Sequence, residues 1–434
     1  MDFKINQAKK NIAIVSANND NGGAARATRR IAKGLTKISE NSNLKFQFIC
    51  NGNSEIGYSQ KSPTYKWYVK LFYNSYQTHY HTDYQVQKVF NGIINKIWKR
   101  AQSKNFKDNY PFFRVGNSLN YEKTFKDIDL IHICWGQTFI NPYEIAKLNK
   151  PTVITLHDMW FITGGFTYTN NQELDKQKYL NLLGKANFNN QLLMKMKLLK
   201  KKNTKIVVTS NWMAEKVKQA GIQEERISKI INHIPNNFSY LSSEKLCRGL
   251  LGWNPSCQSK KIIYFSGSIK DKRKGFSYFV ESIMRLSDEI KSQIAIQILG
   301  VENKKIDLLE KMNIAYLSLG VFSDELSQVI AYNAADLLIC PSKVDNTPNV
   351  IAEAQMCGLP CIGLKETGSS EMIEDGLSGL IYTKNKPEDL ASLISNFVLE
   401  KIQFNKTVIA SWATDNYGIN NTCKKYLELY ASLL

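Results

Sequence analysis

Eleven short, β-branched apolar runs, separated by helix-length amphipathic stretches, constrain this chain more than any other feature. In the first half they are NIAIVSA (11–17), KFQFIC (45–50), LIHICW (130–135), PTVITLH (151–157) and KIVVTS (205–210). In the second they are KIIYFSG (261–267), IAIQILG (294–300), IAYLSLG (314–320), DLLICPS (336–342), LPCIGL (359–364) and SGLIY (378–382). Several are apolar almost throughout, as parallel strands covered on both faces must be. Alternation of strand and helix implies right-handed βαβ units and α/β doubly wound sheets. The strands fall into two sets, which predicts two Rossmann-like domains, and 434 residues suffice for two or three cores. The polar, turn-rich stretch IPNNFSYLSSEKL (234–246) is the best boundary. The expected organisation is a basic domain over 1–240, a second domain over 241–404, and helices over 405–434 that cross back to the first domain.

Charge divides along the same line. Residues 1–240 hold 36 Lys+Arg against 16 Asp+Glu, whereas residues 241–434 hold 21 against 22. The whole net charge of +19 therefore lies in the first half, which points to an anionic partner for that domain: a membrane surface, a phosphorylated substrate or nucleic acid. A merely lysine-rich surface is the plainer alternative. No module signature for RNA or DNA is present, so nucleic acid is not expected. No stretch of about 18 uninterrupted apolar residues exists, and the N-terminal apolar run reads as a first core strand and not as a secretory segment. The eight cysteines are scattered without a CxxC pair, so no zinc site or disulfide framework is expected, and a reducing compartment is. Cys340, Cys357 and Cys361 read as buried thiols. Two segments break the alternation. Residues 61–107 are rich in Tyr, Trp, His and Lys, and residues 187–202 form a basic amphipathic helix candidate. That helix suits either an anionic bilayer or a core, with its lysines in water.

Four stretches can carry chemistry. In KVDNTPNVIAEAQMCGLP (343–360), a strand runs into a loop and then a helix, with Pro348 expected at the first helical position and Thr347 as its cap. The amides of Asn349 and Val350 would open that helix, a place that binds phosphate. Glu353 lies about 7.5 Å further along, and Asp345 lies in the loop on the other side. Acids flanking a phosphate site suit a ligand with hydroxyls at both ends and phosphate between them, a nucleotide sugar. An ordinary capped helix with one buried acid fits the same stretch. In SGSIKDKRKGF (266–276), Gly267 lets a ligand approach the backbone, and Arg273 and Lys274 can meet charge on a diphosphate leaving group, although solvated charge runs are common. Gly22 and Gly23 follow the first strand and open a helix at the ligand edge of a doubly wound sheet, without a GxGxxG fingerprint. In TLHDMWFITGG (155–165), His157 stands at the carboxyl end of a strand, where an imidazole can donate to a hydroxyl or carry a proton. Asp127-Ile128-Asp129 matches a metal-holding DxD, but it precedes a strand instead of ending one and so faces the wrong edge.

Together these stretches resemble the family 4 glycosyltransferases, retaining enzymes of the GT-B fold, in which two Rossmann-like domains face a cleft. DNTPNVIAEAQMCGLP, TLHD-W--TGG and RKGF resemble a subgroup that builds bacterial exopolysaccharide, capsule and O-antigen. The resemblance implies that Glu353 binds ribose hydroxyls and Asp345 the donor sugar. It implies that Arg273 and Lys274 bind the diphosphate, that Gly23 faces the diphosphate or acceptor, and that His157 faces the transferred sugar. Gly22, Gly267, Asn346, Asn349 and Val350 complete the donor site, and Val321 lies in the loop that selects the base. His157 and Asp345 are the expected catalytic pair. The resemblance implies no metal and no cofactor beyond a UDP- or GDP-linked donor. It also implies a lipid-linked or glycan acceptor and a cytoplasmic, peripheral place on the inner membrane face. Three departures are visible: the first acid is Asp, the usual GGxxE reads Thr367-Gly368-Ser369-Ser370-Glu371, and Ser268 stands near the usual arginine. A nucleotide-sugar epimerase of the same fold, a basic nucleic-acid-binding protein and an inactive scaffold are the alternatives.

Overall fold

The computed structural model describes residues 9–17, 22–39, 42–50, 121–137, 139–168, 182–300, 307–322, 324–383 and 386–434. The aromatic, basic segment 61–107 lies outside them, as does any role for it in holding an acceptor or a membrane. The chain divides into two compact units. The first comprises 1–209, 213–230 and 423–434, and the second 210–212 and 231–422.

The first unit holds a six-stranded parallel sheet in the order β2-β1-β3-β4-β5-β6. The strands are β1 (Lys10–Ser16), β2 (Leu44–Cys50), β3 (Leu130–Trp135), β4 (Thr152–Leu156), β5 (Thr204–Val208) and β6 (Ile227–Lys229). Ile12, Ile14, Ile131, Ile133, Val153 and Ile154 are fully buried. Each such side chain contributes about 1.5–3 kcal/mol when removed from water, so the apolar runs dictate central, two-sided strands. The short edge strand β6 was not foreseen: it has three residues, two of them polar, and its exposed Lys229 suits an edge. Strand order reverses between β1 and β3, and ligands of such sheets bind outside the carboxyl ends at that point.

The Asp127–Asp129 pair does its work at the strand-start edge. The Asp129 carboxylate accepts from the Asn11 backbone N–H at 2.7 Å and pairs with Lys10 Nζ at 3.3 Å. The last residues of the Ile419–Ala431 helix belong to this unit. There Tyr430 hydroxyl meets His132 Nδ1 at 2.6 Å, Thr155 Oγ1 meets His132 Nε2 at 2.8 Å, and Tyr426 hydroxyl meets Thr155 Oγ1 at 2.9 Å. This buried polar chain fixes the C-terminal helix on β3 and β4, since each of its members would be costly to bury alone.

The second unit repeats the plan in the order β12-β11-β10-β7-β8-β9. Its strands are β7 (Lys261–Ser266), β8 (Ile294–Leu299), β9 (Tyr316–Ser318), β10 (Leu337–Cys340), β11 (Cys361–Leu364) and β12 (Gly379–Tyr382), all parallel. Order reverses between β7 and β10. Cys340, Cys357 and Cys361 are buried free thiols in this core. Among the described residues no helix is long and apolar enough to cross a membrane.

Candidate active site

The site in the second unit is assembled from two loops that leave the carboxyl ends of β7 and β10, the pair of strands at the switch point. After β7 the chain passes Gly267 (φ +159), makes a three-residue turn over Lys272–Lys274, and enters the Phe276–Met284 helix through Gly275. Asp271 opens that turn, its carboxylate accepting from the Arg273 backbone N–H at 3.0 Å. Gly275 has φ +74, and a Cβ there would lie 2.1 Å from the Pro341 carbonyl oxygen. The glycine of RKGF is thus what lets the β7 loop press against the β10 loop. The Lys343 N–H donates to the Arg273 carbonyl at 2.8 Å and closes the contact.

This packing brings three expected site residues together. One carboxylate oxygen of Asp345 lies 2.6 Å from Lys274 Nζ and 3.1 Å from an Arg273 terminal nitrogen. The other accepts from the Asn346 N–H at 3.1 Å. Arg273 also donates to the Val344 carbonyl at 3.1 Å and pairs with Asp271 at 2.9 Å. Burial pushes the Asp345 carboxyl up, but the Lys274 and Arg273 charges outweigh it and hold the group at about 2. Asp345 is therefore a permanent anion at neutral pH.

Asn346 is fully buried, with its side-chain oxygen accepting from Ser210 Oγ at 2.5 Å. Gly368, the surviving glycine of the altered GGxxE stretch, donates its N–H to the Asp345 carbonyl at 3.0 Å. A Cβ at Gly368 would sit 1.9 Å from the Asn346 carbonyl oxygen, so this second glycine is also demanded by close approach. Glu371 accepts from the N–H groups of Asn211 and Trp212, both at 2.6 Å, within the same unit.

The helix after this loop is Asn349–Met356. Pro348 does not lie inside it and Thr347 does not cap it, contrary to expectation. Pro348 is itself the N-cap residue, at φ −65 and ψ 117, with no side-chain cap. The loop is pinned at Asn346, so the chain leaves it extended through the proline and turns helical one residue later. Asn349 and Val350 open the helix as expected, and Asn232 donates to the Asn349 side chain at 3.4 Å. Glu353, on the next turn, is 1% exposed and accepts from the Tyr332 hydroxyl at 2.8 Å. Val321, beyond β9, is 72% exposed.

The remaining expected residues belong to the first unit. Gly22 (φ +101) and Gly23 are exposed at the start of the Gly23–Ile38 helix. His157 directly follows β4 and is buried; burial lowers its pKa to about 4, so the ring is neutral near pH 7. The TLHD-W--TGG stretch is locked from several sides. Asp158 accepts from the Trp160 N–H at 2.8 Å and from the Gln137 amide. The Met159 N–H reaches the Thr167 carbonyl at 2.7 Å, and the Tyr168 hydroxyl reaches the His157 carbonyl at 3.3 Å. A Cβ on Gly164 would lie 2.2 Å from the Phe188 ring. Gln137 Oε1 and Trp135 Nε1, beside this loop, are buried and find no hydrogen-bond partner among the described residues.

Lys195 was not foreseen. It lies on the Leu182–Leu199 helix, is fully buried, donates to the Trp160 carbonyl at 2.8 Å and stands 4.2 Å from the centroid of the same residue's ring. Burial lowers its pKa well below the usual lysine range, with Asp158 opposing the shift. The amphipathic reading put every lysine of this helix in water, but Lys195 shares its buried face with Phe188, Gln191, Leu198 and Leu199. Spacing was the available signal, since 188, 191, 195 and 198 repeat at helical intervals. Asp271 and Tyr332 were also missed; the Asp two residues before Arg273 is a turn-opening signal that the sequence did carry.

Two family models match the chain: Glycosyltransferase Family 4 over residues 66–235 and Glycosyl transferases group 1 over residues 260–400. An uncharacterized 41.2 kDa protein in the cps region of Klebsiella pneumoniae is 25% identical over 238 residues, covering 54% of this chain and 63% of that protein. A GDP-mannose-dependent alpha-mannosyltransferase of Corynebacterium glutamicum is 26% identical over 183 residues, 42% of each chain. Both matches span less than two thirds of the relatives' own length. Among solved structures, Anabaena HepE in complex with UDP and glucose superposes with a TM-score of 0.59 at 15% identity, covering 97% of this chain and 99% of that one. That likeness carries the fold. With both halves of the sequence matched and both sheets of the expected kind, the chain belongs to the family 4 (group 1) glycosyltransferases and has the GT-B fold.

Proposed function

We propose that this transferase moves a hexosyl or N-acetylhexosaminyl group from a UDP- or GDP-linked sugar to a lipid-linked or oligosaccharide acceptor, with retention, in bacterial surface polysaccharide synthesis. The observation that carries the reading is the meeting of Arg273, Lys274 and Asp345 beside the Asn349–Met356 helix start, at the switch point of the second sheet. Arg273, Lys274 and the opening amides take the diphosphate, and Glu353 and Asp345 take the ribose and sugar hydroxyls. Gly267 gives the phosphates room, Asn346 holds the loop, and the backbone near Val321 contacts the base. The sugar C1–O bond to phosphate breaks, the acceptor oxygen bonds C1 on the same face, and the acceptor proton passes to the leaving phosphate. Two cations and a helix start meet the developing negative charge, and no metal is assigned to that task.

On the same reading His157 faces the transferred sugar, Gly22 belongs to the donor site, and Gly23 faces the diphosphate or the acceptor. The excess of 36 Lys+Arg over 16 Asp+Glu in residues 1–240 suits an anionic acceptor or the inner face of the cytoplasmic membrane. The cps-region relative and the UDP complex of HepE favour this reading over an epimerase or a nucleic-acid binder. The test is a thermal-shift screen against UDP-, GDP- and ADP-sugars, since a ligand that binds only the native state raises its melting temperature. One class is expected to stabilise the protein, and Glu353→Ala to abolish transfer from that donor without any dependence on EDTA. An unchanged rate in Glu353→Ala would count decisively against the assignment.

A further inference from the structure

We infer that Asp345 is an internal anion that competes with the ligand for Arg273 and Lys274, and that this competition makes the site selective for diphosphate over monophosphate. The inference rests on the diphosphate reading of the site given above.

A single oxygen of Asp345 bridges both cations, at 2.6 Å from Lys274 and 3.1 Å from Arg273. Asp271 covers another nitrogen of Arg273 at 2.9 Å. These two carboxylates and two cations sum to zero charge. Side-chain exposure is 6% for Asp345, 13% for Arg273 and 25% for Lys274, so solvent screens the pairing little. An arriving phosphate therefore meets two cations, Arg273 and Lys274, that are already engaged. It gains their attraction only by displacing the Asp345 carboxylate from both at once.

Arg273 and Lys274 are consecutive in one tight turn, and two linked phosphoryl groups can address both. A single phosphate brings less charge to the same exchange. Once displaced, Asp345 needs new donors, and the hydroxyls of a donor sugar provide them. A nucleotide carrying both diphosphate and sugar satisfies every partner, whereas a nucleotide lacking either leaves one buried charge uncompensated. Removing the Asp345 charge should thus tighten nucleotide binding while ending transfer, the reverse of what loss of a simple binding residue does.

The experiment is isothermal titration of UDP, UMP, GDP and GMP into the full chain at fixed ionic strength, for the unmodified protein, Asp345→Asn and Asp271→Asn. Asp345→Asn is expected to bind the preferred diphosphate at least tenfold more tightly and to narrow the diphosphate-to-monophosphate ratio. Asp271→Asn is expected to move both in the same direction by less. Equal or weaker diphosphate binding by folded Asp345→Asn overturns the inference while leaving the diphosphate site standing. Should Asp345→Asn fail to fold, Asp271→Asn decides, and unchanged affinity there overturns it. If none of the proteins binds any of the four nucleotides, the reading of the site falls and takes the inference with it.

Discussion

Acidification between pH 7 and pH 5 should loosen the first unit through His132, an effect whose size follows from burial. The ring is fully buried, with Tyr430 hydroxyl on one nitrogen and Thr155 Oγ1 on the other, and Cys134 Sγ 3.3 Å from Nε2. The Tyr426 ring lies 5.1 Å away, and His157 adds only repulsion toward a charged imidazole. Burial first, and His157 second, lower its pKa from 6.5 to about 3. Between those values the unfolded chain binds a proton that the fold does not, so stability falls as pH falls through the window. From pH 7 to pH 5 the loss is about 2 kcal/mol, at roughly 1.4 kcal/mol per unit. His157, lowered to about 4, adds a similar amount, and a domain has only about 5–15 kcal/mol to lose. The assay is amide hydrogen exchange of peptides spanning β3, corrected for intrinsic pH dependence, in the native chain and in His132→Gln. The substitution should remove about 2 kcal/mol of the pH dependence, roughly thirtyfold in protection, whatever it does to stability at pH 7. Parallel pH curves for the two proteins would refute the reasoning.

Gly368→Ala would place a methyl group 1.9 Å from the Asn346 carbonyl oxygen and force the two loops apart. It should cost about 1–3 kcal/mol in urea unfolding and lower transfer activity together; an unchanged melting temperature would show that the loops separate freely. Lys195→Met should also destabilise, by about 1–3 kcal/mol, because it removes the shorter of two bonds to the buried Trp160 carbonyl and leaves only the Thr163 hydroxyl at 3.4 Å. Denaturant unfolding checks this, and a neutral result would mean that relief of the buried ammonium offsets the lost bond.

The core of each sheet was legible in the sequence because parallel central strands are written as apolar runs. Eleven of the twelve strands coincide with such runs to within about two residues at either end. Strand β6 escaped because a three-residue edge needs no apolar run. The loops were read less well, for a physical reason. Pro348 is compatible with a helix start on local grounds, and its place as the cap was decided by the contacts of nearby Asn346 with Ser210 and Gly368, residues distant in sequence. Arg273, Lys274 and Asp345 were each found as ligand groups, but the Lys274–Asp345 pairing joins residues 71 positions apart and carries no local signature. Lys195 differs: it falls in helical register with Phe188, Gln191 and Leu198 while Lys197 does not, so its burial was legible from spacing, but its Trp160 partner, 35 positions away, was not.

The most direct measurement is a crystal structure of the protein with the nucleoside diphosphate selected by the thermal-shift screen. The diphosphate should lie within hydrogen-bonding distance of Arg273, Lys274 and the Asn349 and Val350 amides, with the ribose on Glu353 and the Asp345 carboxylate turned off the two cations. A nucleotide bound elsewhere would contradict the assignment, and one bound there with the Asp345–Lys274 contact intact would contradict the proposed competition alone.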